Sequence, residues 1–441
     1  MTSKKWWRTK MVMSRAGRWA AAAVTSAVLA GSVLGASATA GAQTDFYLPP
    51  ETLPAGAPGD VLRTEPLDLG LRVPVGDGVF PGQGTKLMYR SNDARGVPNA
   101  VTGTYIEPST PWNGPGDRPL VALAIGTHGQ GDQCAPSRNL GAVVNYTPPL
   151  DFFTEYEALS VNTLLLRGIA VVVTDYDGLG TPGHHTYVNR AAEAHAVLDS
   201  VRAALKLENT SVTENSPVAL YGYSQGGGAS GAAAELAPEY APELNLVGAY
   251  VGAPPADLVA TLKQIDGTLL TGAIGYTING LAEAYPEIRD EIDAEVSDEG
   301  RVMLAQVANQ CVPETIANFA FKRTSDYTRT GEPLDVVLER LPEVQRILNE
   351  QRIGKRTPAV PVLLQHGTQD DTVPYGQGRQ LALDWCAQGA AVQFLPNPTP
   401  PILPGFIVNH AVPMIGGLPE SVAWVEARLR GEPAPTNCGT F

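Results

Sequence analysis

From residue 120 onward, short apolar runs recur along the chain, each bounded by Gly, Pro or Asp. They are Leu120–Ile125, Ile169–Thr174, Pro217–Tyr221, Leu246–Val251, Val360–Leu364 and Ala391–Leu395. Runs this short, apolar at consecutive positions, suit strands buried on both faces. Stretches with helical spacing lie in the intervals: Tyr156–Arg167, Arg190–Leu207, Gln225–Leu236 and Gly376–Cys386. Strand and helix in alternation predict an α/β protein, a mostly parallel sheet covered by helices on both faces. A ligand site would lie beyond the carboxyl ends of the strands.

Two segments depart from this rhythm. Upstream, Thr85–Arg90 and Ala100–Glu107 read as strands separated by the turn-rich Asn92-Asp93-Ala94-Arg95-Gly96. Before them, Thr44 to Gly82 is rich in Pro and Gly with little periodicity, which predicts an extended wrapping arm. Downstream, no comparable apolar run occurs between Ala256 and Arg356, and the pattern is helical, as at Leu281–Ala294, Gly300–Gln310 and Pro333–Gln351. The expected body is therefore a core of residues 43–255 and 357–441, interrupted by a helical cap or lid at residues 256–356.

The first 42 residues are of another kind. Lys4, Lys5, Arg8, Lys10, Arg15 and Arg18 stand there without an acid, an alanine-rich run from Trp19 to Leu34 follows, and small residues lead through Ala38, Ala40 and Ala42. This is the layout of a secretory signal, with cleavage expected after Ala40 or Ala42. The apolar run is short and glycine-interrupted for a membrane anchor. A secreted protein is expected, extracellular or associated with the cell envelope. The four cysteines, Cys134, Cys311, Cys386 and Cys438, agree with an oxidising compartment and have no metal-site spacing. Three pairings are open, and Cys134–Cys311 with Cys386–Cys438 is preferred because the second pins the Pro-rich tail. Loops this long would stabilise by roughly 4–5 kcal/mol each in the chain-entropy model. The formal charge of −14 argues against nucleic acid as a partner, because phosphate binding needs a basic face.

The chemistry centres on Gly222-Tyr223-Ser224-Gln225-Gly226, which follows the apolar run ending at Tyr221 and opens a small-residue helix. A serine on a sharp strand-to-helix turn needs flanking glycines to relieve crowding, and this is the nucleophile elbow of the α/β-hydrolase fold. The helix N-terminus adds positive potential. A serine hydroxyl needs a base oriented by a third group, and in this fold the order is Ser, acid, His. Two histidines follow Ser224. His366 lies at a strand end ahead of the acids and is expected to pack or support; His410 follows the last strand and precedes the final helix, and is the better base. Asp370 is favoured over its neighbour Asp371 as the acid, since Asp-x-x-Val-Pro is the usual setting. The backbone N–H of Gln225 is one expected oxyanion donor. The second is expected from the loop Gly126-Thr127-His128-Gly129-Gln130-Gly131-Asp132, between His128 and Gln130, with Gly129 and Gln130 as candidates. Asp175 and Asp177 follow a core strand and border the site or cap a turn. His184, His185 and His195 lack a convincing ligand spacing, so no metal is expected, and the chemistry requires no organic cofactor. The apolar Leu269–Tyr276 stretch either lines an acyl pocket or forms the cap's own core.

These anchors, with Cys134-Ala135-Pro136-Ser137, Ala241–Gly248 and Asp370–Tyr375, resemble the secretory lipase family over roughly residues 45–430. The resemblance implies an α/β-hydrolase with a helical cap that acts on acylglycerols and other carboxylic esters. It puts the serine on Ser224, the acid on Asp370 and the histidine on His410. It also implies an acidic side chain ahead of the Cys-Ala-Pro-Ser segment that assists the oxyanion hole, and the loop at residues 128–132 departs from that pattern. The expected partners are an ester or lipid substrate and, transiently, a lipid–water interface, with the protein a monomer. Rival functions on the same fold are a short-chain carboxylesterase, a serine peptidase or an envelope acyltransferase. From a different class, the rival is a secreted binding protein on a catalytically dead scaffold.

Overall fold

The computed structural model describes residues 45–75 and 78–441; the export signal expected at residues 1–42 lies outside them. The strands in chain order are β1 (Val61–Leu67), β2 (Val73–Val75), β3 (Gly78–Phe80), β4 (Gly82–Asn92), β5 (Pro98–Pro108), β6 (Leu120–Ala124), β7 (Asn145–Thr147), β8 (Asp151–Phe153), β9 (Ala170–Tyr176), β10 (Val218–Tyr223), β11 (Leu246–Gly252), β12 (Val362–Gly367) and β13 (Val392–Asn397). Nine of them form one sheet in the order β1-β4-β5-β9-β6-β10-β11-β12-β13, while β2–β3 and β7–β8 are separate ribbons. The pairs from β1 through β9 are antiparallel, and those from β9 through β13 are parallel. The central strands β6, β9, β10 and β12 are buried at every residue, which accounts for the short apolar runs that mark them.

The chain leaves β6 for β9 on one side, then crosses to β10 on the other. This reversal between β6 and β10 is a topological switch point, where the loops at the strands' carboxyl ends diverge and leave a crevice. Both Ser224 and the loop starting at Gly126 emerge there.

The arm expected at residues 44–82 includes regular strands. It carries β1, which pairs antiparallel with β4 at the sheet edge, and the β2–β3 ribbon. Residues of β1 before Leu67 are exposed or half-buried and include Arg63, Glu65 and Pro66, as an edge strand tolerates, so no apolar run announces it.

The segment between β11 and β12 is helical, as expected, with helices Leu258–Ile265, Ala273–Ala284, Arg289–Glu295, Asp298–Val307, Val312–Phe319, Leu334–Leu338 and Pro342–Gln351. Two expected helices are broken, and proline is the reason in each. Helix Ala273–Ala284 stops before Tyr285-Pro286, and Pro342 restarts the chain at the first position of a new helix. Tyr276, Met303, Val307 and Phe319 pack into one small core within this segment, and Ile288, Val337, Val344 and Ile347 into another.

Cys134 is bonded to Cys311, joining the loop after β6 to the insertion, and Cys386 to Cys438. The second bond supports a docked tail, where the Asn437 side chain accepts from Phe394 N–H at 2.8 Å and donates to its carbonyl at 2.8 Å. Among the described residues no helix is long and apolar enough to cross a membrane. Replacing Cys386 and Cys438 by Ser is expected to cost about 4 kcal/mol of stability by loop entropy, read as a lower urea midpoint. An unchanged midpoint would show that the tail docks equally well without the bond.

Candidate active site

Strand β10 ends in Tyr223, and helix Gln225–Tyr240 begins at once, so Ser224 alone makes the turn. Its φ of 60° and ψ of −124° are strained for a residue with a side chain. The strain is held by hydrogen bonds on both sides: Ser224 N–H donates to Gly252 O at 2.9 Å, and its carbonyl accepts from Gly228 N–H at 3.0 Å. Glycine is required around it. A Cβ on Gly226 would press into the Ala124 carbonyl oxygen of β6, and one on Gly227 into the Gly252 carbonyl oxygen of β11.

His410 and Asp370 meet beside this turn. His410 Nδ1 lies 2.7 Å from Asp370 Oδ2, and both side chains are buried. His410 Nε2 is buried and has no hydrogen-bond partner among the described residues. The other Asp370 oxygen, Oδ1, accepts from the backbone N–H groups of Thr372 and Val373 at 2.9 and 2.8 Å. Burial alone would raise the Asp370 carboxyl, but the imidazoles of His410 and His366 hold it well below the usual carboxylate range. Asp371 is bonded elsewhere. It accepts from Gly405 N–H at 3.0 Å, and burial pushes its carboxyl up.

His366 has more than a packing place. Its Nε2 donates to Val373 O at 2.9 Å and lies 3.5 Å from Asp370 Oδ2, so the carboxylate sits between two imidazoles. Contrary to the sequence expectation, His410 lies inside the final helix, Val408–Leu429, in its first turn rather than ahead of it. Tyr223 OH donates to the His410 carbonyl at 2.8 Å, a contact the pentapeptide pattern did not suggest.

The loop after β6, where Gly129 and Gln130 are the candidate oxyanion donors, faces two ways. Gln130 N–H donates to Gln310 O at 3.0 Å, and Gly129 bridges to Cys311 of the insertion. The cavity wall includes Gly126, Thr127 and Gln225 but neither Gly129 nor Gln130. The Cys134–Cys311 bond and this short bridge turn residues 129–130 toward the insertion and leave Thr127 facing the crevice. Thr127 is held from two directions: Tyr156 OH donates to its carbonyl at 3.0 Å, and its hydroxyl meets Tyr187 OH at 2.7 Å. Gly126 N–H donates to Glu157 at 2.8 Å. Beneath them, His128 contacts Gly126 O at 2.9 Å and Glu155 at 3.0 Å. Burial opposes its charge, but Glu155 outweighs that and raises its pKa.

The remaining candidates are structural. Asp175 accepts from Thr102 and from Ser137, and Asp177 from Asn99 and Thr186. Neither lines the cavity. His184 is exposed beside Glu283, His195 stacks on Tyr240, and His185 is buried under Gln225.

Ser224, Gln225 and His410 open into one cavity of about 610 Å³. Its far walls come from the insertion and are aliphatic, with Leu262, Ile274, Ile278, Val337, Leu341 and Val344 among them. The apolar 269–276 stretch serves both of its expected purposes. Leu270, Ala273 and Ile274 reach the cavity, while Tyr276 packs in the insertion's core.

The sequence model of the family described as Secretory lipase matches residues 147–437. The chain belongs to the secretory lipase family. A probable inactive lipase of Mycobacterium tuberculosis is 30% identical over 393 residues, 88% of this chain and 82% of that protein. A secreted triacylglycerol lipase of Malassezia furfur is 31% identical over 79% of this chain and 69% of its own. Among solved structures, Candida antarctica lipase A in its closed state superposes with a TM-score of 0.74 at 24% identity, covering 90% of this chain and 88% of that one. The rice cell wall degrading esterase LipA from Xanthomonas oryzae gives 0.67 at 20% identity, covering 86% and 100%. These neighbours share the α/β-hydrolase fold. Within the secretory lipase match lie Ser224, Asp370 and His410, while the Thr127 loop precedes it.

Glu157 offers a test of how that loop is held. Burial pushes its carboxyl from 4.5 up to about 7, against the Gly126 N–H and the charge of His128. The unfolded chain therefore releases this proton before the folded one does, and stability falls as pH rises from about 4.5 to 7. Glu157→Gln removes that slope, so its melting temperature relative to wild type is expected to climb between pH 5 and 7. A difference that is flat with pH would mean that Glu157 is ionised in the folded protein throughout.

Proposed function

We propose that this chain is a secreted serine ester hydrolase that cleaves acylglycerols or other carboxylic esters through an acyl-enzyme. The observation that carries the reading is the buried 2.7 Å His410–Asp370 pair, whose free Nε2 shares an apolar cavity with the strained Ser224. In the proposed sequence, the Ser224 hydroxyl proton passes to His410 Nε2 as Oγ bonds to the ester carbonyl carbon. The carbonyl π electrons move to oxygen, which the backbone N–H groups of Gln225 and Thr127 receive. Asp370 orients the imidazole and stabilises its charged form. The tetrahedral adduct collapses, the C–O bond to the alcohol breaks, and His410 protonates the leaving oxygen. Water, deprotonated by His410, then releases the acid and restores Ser224.

Residues 256–356 act as the cap in this reading, and their aliphatic wall receives the acyl chain. Membership of the secretory lipase family and the two disulfides support export, with the basic and apolar first 42 residues as its signal. A non-catalytic reading has one observation in its favour, the name of the mycobacterial relative.

Labelling by a fluorophosphonate separates the two readings. The wild type is expected to label, and Ser224→Ala to lose both the label and turnover by on the order of 10⁴-fold or more in kcat. A folded wild type that stays unlabelled would overturn the hydrolase reading. Asp370→Asn is expected to keep the fold and lower kcat by about 10⁴-fold through the wrong imidazole tautomer.

The cavity generates a further expectation. Each methylene buried against aliphatic walls contributes about 0.8 kcal/mol. On soluble p-nitrophenyl esters, kcat/KM should therefore rise by about tenfold or more from acetate to octanoate. A preference for acetate would mean that the cavity does not take the acyl chain.

A further inference from the structure

Under the Ser224 turn lies a buried polar group that the proposed mechanism does not use. Glu193, in helix Arg190–Leu205, points inward and is 2% exposed. Its Oε1 accepts from Gln225 Nε2 at 2.7 Å and from Val188 N–H at 2.9 Å. Gln225 Nε2 also lies 2.9 Å from His185 Nε2. His185 Nδ1 faces the Asp177 carbonyl at 3.0 Å, which can only accept, so Nδ1 carries the proton and Nε2 offers its lone pair to Gln225. Burial lowers the His185 pKa to about 4, in keeping with a neutral ring. Both amide hydrogens of Gln225 are thus committed, one to Glu193 and one to His185.

The same segment reaches the other side of the crevice. Tyr187 OH meets the Thr127 hydroxyl at 2.7 Å, and the His185 carbonyl accepts from Gln130 Nε2 at 3.0 Å. Residues 185–188 therefore stand between the residue after the nucleophile and the loop after β6, with Val188 held at a φ of 53°. Capping of its own helix does not explain the inward Glu193, because the Asn189 side chain already accepts from Ala192 N–H at 3.1 Å.

Resting on the ester hydrolase reading, we propose that Glu193 is a positioning residue for the oxyanion site. It holds the Gln225 side chain and the His185–Val188 segment in one register, so that the backbone N–H groups of Gln225 and Thr127 converge on one oxygen. Two donors from separate elements must be aligned at the transition state. Burial pushes the Glu193 carboxyl up to about 8, against its hydrogen bonds from Gln225 and Val188, so glutamine is the close mimic of its neutral form.

The test is steady-state hydrolysis of a soluble short-chain p-nitrophenyl ester at pH 7 by wild type, Glu193→Ala, Glu193→Gln and Gln225→Ala, with thermal unfolding of each. Glu193→Ala is expected to lower kcat by ten- to a hundredfold with KM within twofold. Glu193→Gln should recover kcat to within about threefold of wild type, since its amide oxygen still accepts both bonds. Gln225→Ala keeps the backbone N–H and removes the other end of the contact, so it should lower kcat as Glu193→Ala does, and it decides the matter if Glu193→Ala fails to fold. A folded Glu193→Ala with kcat within twofold of wild type, or with KM alone changed, overturns the proposal. Wild-type turnover abolished by Ser224→Ala supports the hydrolase reading independently, whereas a wild type without turnover overturns both.

Discussion

The close approach of helix Gln225–Tyr240 to the backbones of β6 and β11 is the contact on which the site depends. Gly226 and Gly227 lie where any side chain would strike a carbonyl oxygen of the neighbouring strand. With those positions empty, the first helical turn sinks between the strand ends, and Ser224 is left to make the whole reversal at positive φ. Its strain persists because Gly252 and Gly228 hold its backbone from both sides. The helix N-terminus, with its unpaired N–H groups and positive potential, then faces the crevice where the sheet order reverses.

Polar groups around that turn are buried in quantity, and nearly all are matched. Asp370 has two backbone donors on one oxygen and two imidazoles near the other. His128 is matched by Glu155, Glu157 by Gly126, and Gln225 by Glu193 and His185. In a low-dielectric interior an unmatched group of this kind is costly, so such a network tolerates few alternative geometries. Among the described residues His366 Nδ1, Asp371 Oδ1 and His410 Nε2 are buried there without a partner, and of these three residues only His410 lines the cavity with Ser224.

The central strands, the Ser224 turn and the order of serine, acid and histidine were legible because each rests on local chemistry. Buried strands are apolar at consecutive positions, and a strained turn needs glycine beside it. Strand β1 was not legible, because an edge strand with one solvated face has no reason to be apolar. The helix breaks at Pro286 and Pro342 were open to the eye, and the helical periodicity across them overrode that signal. The Tyr223–His410 contact joins residues 187 positions apart and has no local signature at all. The same is true of Glu193, which on sequence is an ordinary acid in the first turn of a helix.

The loop after β6 draws the line between the two sources of information. Its glycines marked residues 126–132 as a tight passage able to bring backbone close to a ligand, and its place after the first parallel strand put it at the sheet's carboxyl edge. Which peptide faces the crevice depended on Cys311 and Gln310, nearly two hundred residues away, whose contacts draw Gly129 and Gln130 toward the insertion and leave Thr127 on the cavity wall. By itself the sequence determined the fold class, the turn and the residue types for the chemistry, because these follow from backbone sterics and burial period within a few residues. The tertiary structure decided which residues of the loop line the cavity, which carboxylate meets His410 and which aliphatic wall faces Ser224, because those are set by contacts between segments that meet only after folding.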